Sequence, residues 1–160
     1  RVEVGSVVVY IGPHWYCTVM MVGVIGGVGS MFVVGVAMTL NAFHVIGGVL
    51  ATVCSAITCL NCALSDPGIL KPRPQSPGGV GDAIQFFPST GKRHCTACDI
   101  RQPGGTLHCE YCHVCIVGWD HHCPWMSKCI GEDNLAAYYN FICVSLTSLA
   151  YIVVVTALLH

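Results

Sequence analysis

Between Cys95 and Cys129 stand seven of the chain's twelve cysteines and four of its eight histidines. Cys95-Thr-Ala-Cys98 is one CxxC turn, and Cys109-Glu-Tyr-Cys112-His-Val-Cys115 is a doubled one. A turn of this length brings two thiolates within one edge of a tetrahedral zinc sphere. One CxxC is a weak signal, but three overlapping ones with His108 and His122 interspersed point to zinc. Cys95, Cys98, His108, Cys109, Cys112, Cys115, His122 and Cys129 are the candidate ligands. They fill two four-ligand sites and leave Cys123 over, and spacing alone leaves their pairing open. His113, between two candidate ligands, and His94, ahead of Cys95, are expected at the surface.

Cys123 belongs to the run Asp120-His121-His122-Cys123-Pro124-Trp125. A thiolate is the attacking species in thioester exchange, and a neighbouring imidazole takes the thiol proton near neutral pH. In an extended run, side chains two apart share a face. His121 then lies beside Cys123 while His122 turns toward zinc. Asp120 would hold the tautomer of His121, as the acid of a Cys-His or Ser-His triad does. The competing reading makes Cys123 one more ligand of a zinc-ribbon-like module.

These residues need a membrane to stand on. Only 9% of the residues are charged, the hydrophobic fraction is 54% and the net charge is -1, whereas about a quarter of a soluble domain is charged. With no basic excess, nucleic acid is not an expected partner. Residues 1–17 read as a short cytosolic segment against the membrane surface, broken at Gly12-Pro13. Residues 18–64 read as a helical hairpin with spans at about 18–40 and 43–64, each near the roughly 20 apolar residues that cross a bilayer. Gly23, Gly26 and Gly27 offer either a small-residue face for a second helix or a merely Gly-rich span. His44, in the polar break that begins at Asn41, is expected at the interface rather than on a metal. Cys54, Cys59 and Cys62, like Cys17 and Cys143, read as packing or lipid-modified residues. Residues 65–92 form a linker rich in Pro, Gly and Ser, 93–137 the cysteine-rich segment and 138–160 a third span, its apolar run opening at Leu135.

Six of the seven Lys and Arg (Lys71, Arg73, Lys92, Arg93, Arg101 and Lys128) fall between the second and third spans, and Arg1 precedes the first. Cytosolic loops carry such an excess, which assigns the cysteine-rich segment to the cytosol. Cytosolic thiols stay reduced, and this too favours zinc over disulfides.

The motifs resemble those of the DHHC family of protein S-acyltransferases, or palmitoyltransferases. They are the Cys95/Cys98 pair, His108-Cys109, CxxCxxC from Cys109, the Asp-His-His-Cys-Pro-Trp run from Asp120, Cys129-Ile-Gly131, Asn134 and, beyond the segment, Asp66-Pro67-Gly68. The resemblance implies an all-α multi-pass membrane protein with an inserted cytosolic zinc domain of small hairpins and loops. It implies two closed, structural zinc sites with interleaved ligands: Cys95, Cys98, His108 and Cys115 on one, Cys109, Cys112, His122 and Cys129 on the other. Cys123 would be the nucleophile, served by His121 and Asp120. It would take a long-chain acyl group, usually palmitoyl, from acyl-CoA and pass it to cysteines of membrane-associated target proteins. The host membrane would be the Golgi, the endoplasmic reticulum or the plasma membrane. A catalytically silent zinc-bearing adaptor on the same scaffold is the alternative. The family's Arg-Pro-Pro-Arg-like run stands here as Arg101-Gln102-Pro103-Gly104-Gly105, whose two glycines are expected to loosen the loop. The family also has a fourth helix followed by Thr-Thr-x-Glu, so the chain is expected to be truncated before that helix.

Overall fold

A computed structural model describes residues 2–4, 7–9, 11–71 and 93–158. Most of the linker, with Arg73 and Lys92, lies outside them, as does Arg1. Three helices are long and apolar enough to cross a membrane: Trp15–Leu40, Ala42–Leu64 and Leu135–Ala157. The first begins three residues ahead of its expected start. Pro13 precedes it, and the Cys17 amide closes its first turn on the His14 carbonyl at 2.9 Å. Near its far end the backbone loosens into a π-helical stretch, Val33–Ala37.

A single extended residue, Asn41, separates the first two helices and caps the second, its Oδ1 accepting from the His44 amide at 3.3 Å. That cap satisfies one of the amide groups a helix start leaves unpaired. The second helix lies between the other two and packs on both. Close approach is made by Gly29 against Thr52 and by Gly48 against Phe32. A Cβ at Gly23, Gly26 or Gly27 would meet nothing within 4 Å among the described residues. Among the described residues no second helix approaches these three glycines. Large apolar side chains such as Val24, Val28, Ile57 and Val153 are exposed on the outer faces, as lipid contact requires.

The remaining structure is a set of antiparallel two-stranded hairpins. β1 (Val2–Val4) pairs with β2 (Val7–Val9) in the N-terminal segment. In the cysteine-rich segment β3 (Arg93–Cys95) pairs with β4 (Ile100–Gln102), β5 (Leu107–Cys109) with β6 (Val114–Ile116), and β7 (His121–Cys123) with β8 (Lys128–Ile130). Three-residue strands bury too little apolar surface to hold themselves together. The small core beneath them is Cys109, Ile116 and Cys129, backed by Ile69 and Trp119.

Three joints fasten these hairpins to the helices. Asp66 Oδ1 accepts from the amides of Gly68 and Ile69, both at 3.0 Å, turning the chain after the second helix. The segment then runs beside β6, with Leu70 donating to Cys115 O and Val117 to Gly68 O. Gly68, at φ +94, occupies a backbone region that side chains disfavour. Lys128 is buried and donates from Nζ to the Ser65 carbonyl at 2.8 Å, joining β8 to the C-terminal end of the second helix, where a cation is favoured. Burial is the main cause that lowers its pKa to about 8. Asn134, fully buried, accepts from the Gly131 amide at 2.9 Å and donates to the Cys129 carbonyl at 3.1 Å. This brace starts the third helix at Leu135, inside the stretch that sequence assigned to the cysteine-rich segment. The loop expected to be loosened by Gly104-Gly105 is tied at both ends: Thr106 donates to Pro103 O and Trp119 to Gly105 O.

Candidate metal centres and thiol site

The three cysteine-rich hairpins share one plan. His94-Cys95, His108-Cys109 and His122-Cys123 recur at 14-residue intervals, each at the end of the first strand of its hairpin. The cross-strand partners of the three histidines are Arg101, Cys115 and Cys129. The first two turns are CxxC turns, each followed by a residue in the left-handed region: Asp99 at φ 52 and His113 at φ 54.

Each turn faces the His-Cys pair of the next hairpin. Cys95 and Cys98 meet His108 and Cys115, and Cys109 and Cys112 meet His122 and Cys129; within each set the ligand atoms lie within 4.8 Å of one another. His108 Nδ1 is 3.5, 3.3 and 3.8 Å from the sulfurs of Cys95, Cys98 and Cys115. His122 Nδ1 is 3.5, 3.4 and 3.7 Å from those of Cys109, Cys112 and Cys129, and the Cys112 and Cys129 sulfurs are 3.7 Å apart. A zinc tetrahedron with Zn–S of about 2.3 Å and Zn–N of about 2.05 Å has S···S edges of about 3.8 Å and S···N edges of about 3.6 Å. These spacings are therefore ligand-sphere edges, and the donor sets fit zinc. Charge agrees with shape. The Cys112 thiol is held below its usual range, first by the hydrogen bond from Cys129, and Cys129 is pushed up by the same contact. Thiolate charge confined in this way suits a divalent cation.

Supporting contacts surround both clusters. Gln102, buried, donates from Nε2 to the Cys115 sulfur at 3.3 Å. Tyr111 stacks on the His122 ring at 4.8 Å. His113 and His94 are exposed, and His94 pairs with Asp99 at 3.3 Å.

The third hairpin departs from the plan, and the departure leaves a thiol. Its turn reads Cys123-Pro-Trp-Met126, with Met126 where the other turns carry their second cysteine. Cys123 belongs to neither ligand set. It is 7% exposed and packs with Cys59, Cys62 and Ala63 near the end of the second helix, with Met126 and Ile130 of its own hairpin, and with Phe141 of the third helix. Met21, Val22 and Ile25 of the first helix complete the surround. All three apolar helices thus contribute to the cluster that holds this thiol. Cys59 and Cys62 are fully buried in the same cluster, whereas Cys54 and Cys143 are exposed.

On the same strand, His121 Nδ1 lies 2.6 Å from Asp120 Oδ2. The Asp120 amide donates to Ile130 O at 2.9 Å, so β7 pairing extends to the acid. Tyr138, one turn into the third helix, sets its ring edge-on to His121 at 5.3 Å. His121 and Cys123 occupy alternate positions of an extended strand, which places them on one face. Trp15, Tyr16, Trp125 and Tyr139 are exposed around this end of the bundle, the residues typical of a bilayer interface.

Sequence reading missed His14 and the role of Lys128 at this site, and it named Asn134 as a motif residue without its bracing role. It also left the ligand pairing to resemblance. No curated protein matches the chain. A family model described as DHHC palmitoyltransferase matches residues 88–159, the three hairpins and the third helix together. With an Asp-His-His-Cys strand that supplies His122 to the second cysteine-histidine cluster, at the end of three membrane-length helices, residues 88–159 are similar to the DHHC palmitoyltransferase domain.

Proposed function

We propose that this chain is a protein S-acyltransferase in which Cys123 accepts a long-chain acyl group from acyl-CoA and passes it to cysteines of target proteins. One observation carries the reading. A thiol outside both ligand sets shares a strand with an imidazole whose Nδ1 is held by a carboxylate at 2.6 Å. With Nδ1–H directed to Asp120, Nε2 of His121 is the nitrogen left for proton transfer.

In the first step His121 takes the Cys123 proton and the thiolate attacks the acyl-CoA carbonyl carbon. A new carbon–sulfur bond forms, the bond to CoA breaks, and CoA leaves as the thiol with the proton held by His121. In the second step a target cysteine gives its proton to His121 and attacks the Cys123 thioester. Cys123 departs and recovers the proton. Each step exchanges one thioester for another, so no external energy source is required. Zinc would supply structure here: Cys109, Cys112, His122 and Cys129 would hold it, and through His122 and Cys129 it would tie β7 to β8. The apolar cluster that holds Cys123, to which all three membrane-length helices contribute, supports a substrate whose thioester lies at the bilayer surface, its tail in lipid and its nucleotide head in water.

The test is transfer of label from palmitoyl-CoA with a clickable tail, followed by release with neutral hydroxylamine, which cleaves thioesters and spares amides. His121→Ala slows labelling on the order of a hundredfold or more, the usual size of a general-base effect. Raising the pH restores part of the rate by supplying thiolate directly. Labelling by His121→Ala at the unaltered rate removes the imidazole from the reaction.

The excess of Lys and Arg between the second and third spans supports a cytosolic site. A glycosylation acceptor inserted beside Pro77 therefore stays unmodified in a microsomal assay. Its modification reverses the topology.

A further inference from the structure

We infer that His14, just ahead of the first helix, is a positioning residue of the second ligand cluster, serving as the hydrogen-bond acceptor that fixes the ring of His122. The inference rests on that cluster holding zinc.

His14 Nδ1 lies 3.1 Å from His122 Nε2, across 108 residues of sequence. His122 turns its other nitrogen, Nδ1, into the cluster. A ligating nitrogen must offer a lone pair, so the His122 proton resides on Nε2 and is donated to His14 Nδ1. The acceptor role in turn leaves the His14 proton on its own Nε2. A ligating histidine ordinarily gives its second N–H to a carboxylate, a carbonyl or water, which sets tautomer and ring orientation. A neutral imidazole takes that place here.

The contact is built rather than incidental, because the chain on either side of His14 is fastened to the third hairpin. The Gly12 amide donates to Ser127 Oγ at 3.3 Å, and Thr18 Oγ1 donates to the Trp125 carbonyl at 3.0 Å. A Cβ at Gly12 would run into the Ser127 carbonyl, so glycine is required for the approach. The rings of His14 and His122 meet edge-on at 5.1 Å, while Tyr111 stacks on His122. His122 is thus held by its ligand bond, by a stacked ring and by one acceptor, and of the two contacts outside the cluster only the acceptor favours the tautomer that leaves Nδ1 free to ligate. Because Cys123 follows His122 on β7, the start of the first membrane helix bears on the hairpin that carries the thiol.

Zinc retention separates an acceptor from a packing contact without reference to acyl transfer. The full chain in detergent is challenged with a chromogenic zinc chelator, and metal release is resolved into two sites, using Cys95→Ser and Cys129→Ser proteins to assign the phases. His14→Phe keeps a ring and removes the acceptor; it should release zinc from the second cluster about 10- to 100-fold faster, the usual cost of losing such a partner. His14→Asn places Oδ1 where the imidazole carries Nδ1, and should restore release close to that of the unaltered protein. The first cluster should release at one rate in all three proteins. Equal release by His14→Phe and the unaltered protein overturns the inference, as does failure of Asn to rescue. Joint acceleration at both clusters also overturns it, by showing general unfolding. An unaltered protein with no zinc at the second cluster overturns the metal assignment on which the inference stands.

Discussion

Cys123→Ala abolishes hydroxylamine-sensitive labelling from palmitoyl-CoA while leaving the zinc content at two ions per chain. The chain offers twelve thiols, and the structure gives the others different surroundings. Six are in the ligand sets, where metal coordination ties up the sulfur lone pairs. Cys59 and Cys62 are buried in the apolar cluster that also holds Cys123. Cys17, Cys54 and Cys143 lie on membrane-length helices. Cys123 alone combines exclusion from the ligand sets with a carboxylate-held imidazole on its own strand. Removing the attacking atom removes the covalent intermediate altogether, so the expected effect is loss rather than slowing. Two results would sink the assignment: label retained on Cys59 or Cys62 in the variant, or loss of one zinc on substitution, which would make Cys123 a ligand.

Cys129→Ser is expected to cost one of the two zinc ions and to open the third hairpin to proteolysis. Cys129 is fully buried, and its cross-strand partner is His122. The second cluster therefore draws two of its four ligands from β7 and β8. Those strands are three residues long, so a zinc bound there would supply much of what keeps them paired. Structural zinc sites in small domains contribute apparent binding energies on the order of 10 kcal/mol, and a serine oxygen is a poor replacement for thiolate. Labelling at Cys123 should fall with the zinc, because strand β7 carries both His122 and the thiol. Metal analysis together with limited proteolysis reads the result. A Cys129→Ser chain with two tightly held zinc ions would remove this residue from the ligand set.

Much of this arrangement is local chemistry and is written in short stretches. Uncharged runs of more than twenty residues are sufficient for the three helices. Asn41 stops one helix and caps the next through contacts within four residues. The ligand types and the CxxC turns are likewise local, and the leftover Cys123 follows from counting. Spacing left the pairing of the clusters open, and in the structure the two sets are copies of one pattern. Each set spans the same steps, 10 residues from its second turn cysteine to its histidine and 7 from histidine to last cysteine. That recurrence makes the third turn an imperfect copy, and Met126 in place of a cysteine is the reason its thiol is spare.

Other features could not be read this way, because hydrogen bonding and close packing across long sequence separations carry no periodic trace. Lys128 reaches the Ser65 carbonyl over 63 residues, and His14 reaches His122 over 108. In sequence Lys128 is one more cytosolic charge and His14 a polar residue before a membrane helix. Glycine patterning left the question open for a related reason: spacing on one helix marks where a neighbour could approach, but the neighbour's own side chains, Thr52 and Phe32, decide that Gly29 and Gly48 are used. Sequence by itself determined the three apolar spans, the metal-ligand chemistry and the identity of the spare thiol, since each depends on residue type and near neighbours. Only the tertiary structure decided that residues of all three helices share one apolar cluster with that thiol, and that His14 at the entry to the first helix meets a ligand of the second cluster. Those contacts exist only after distant segments have packed.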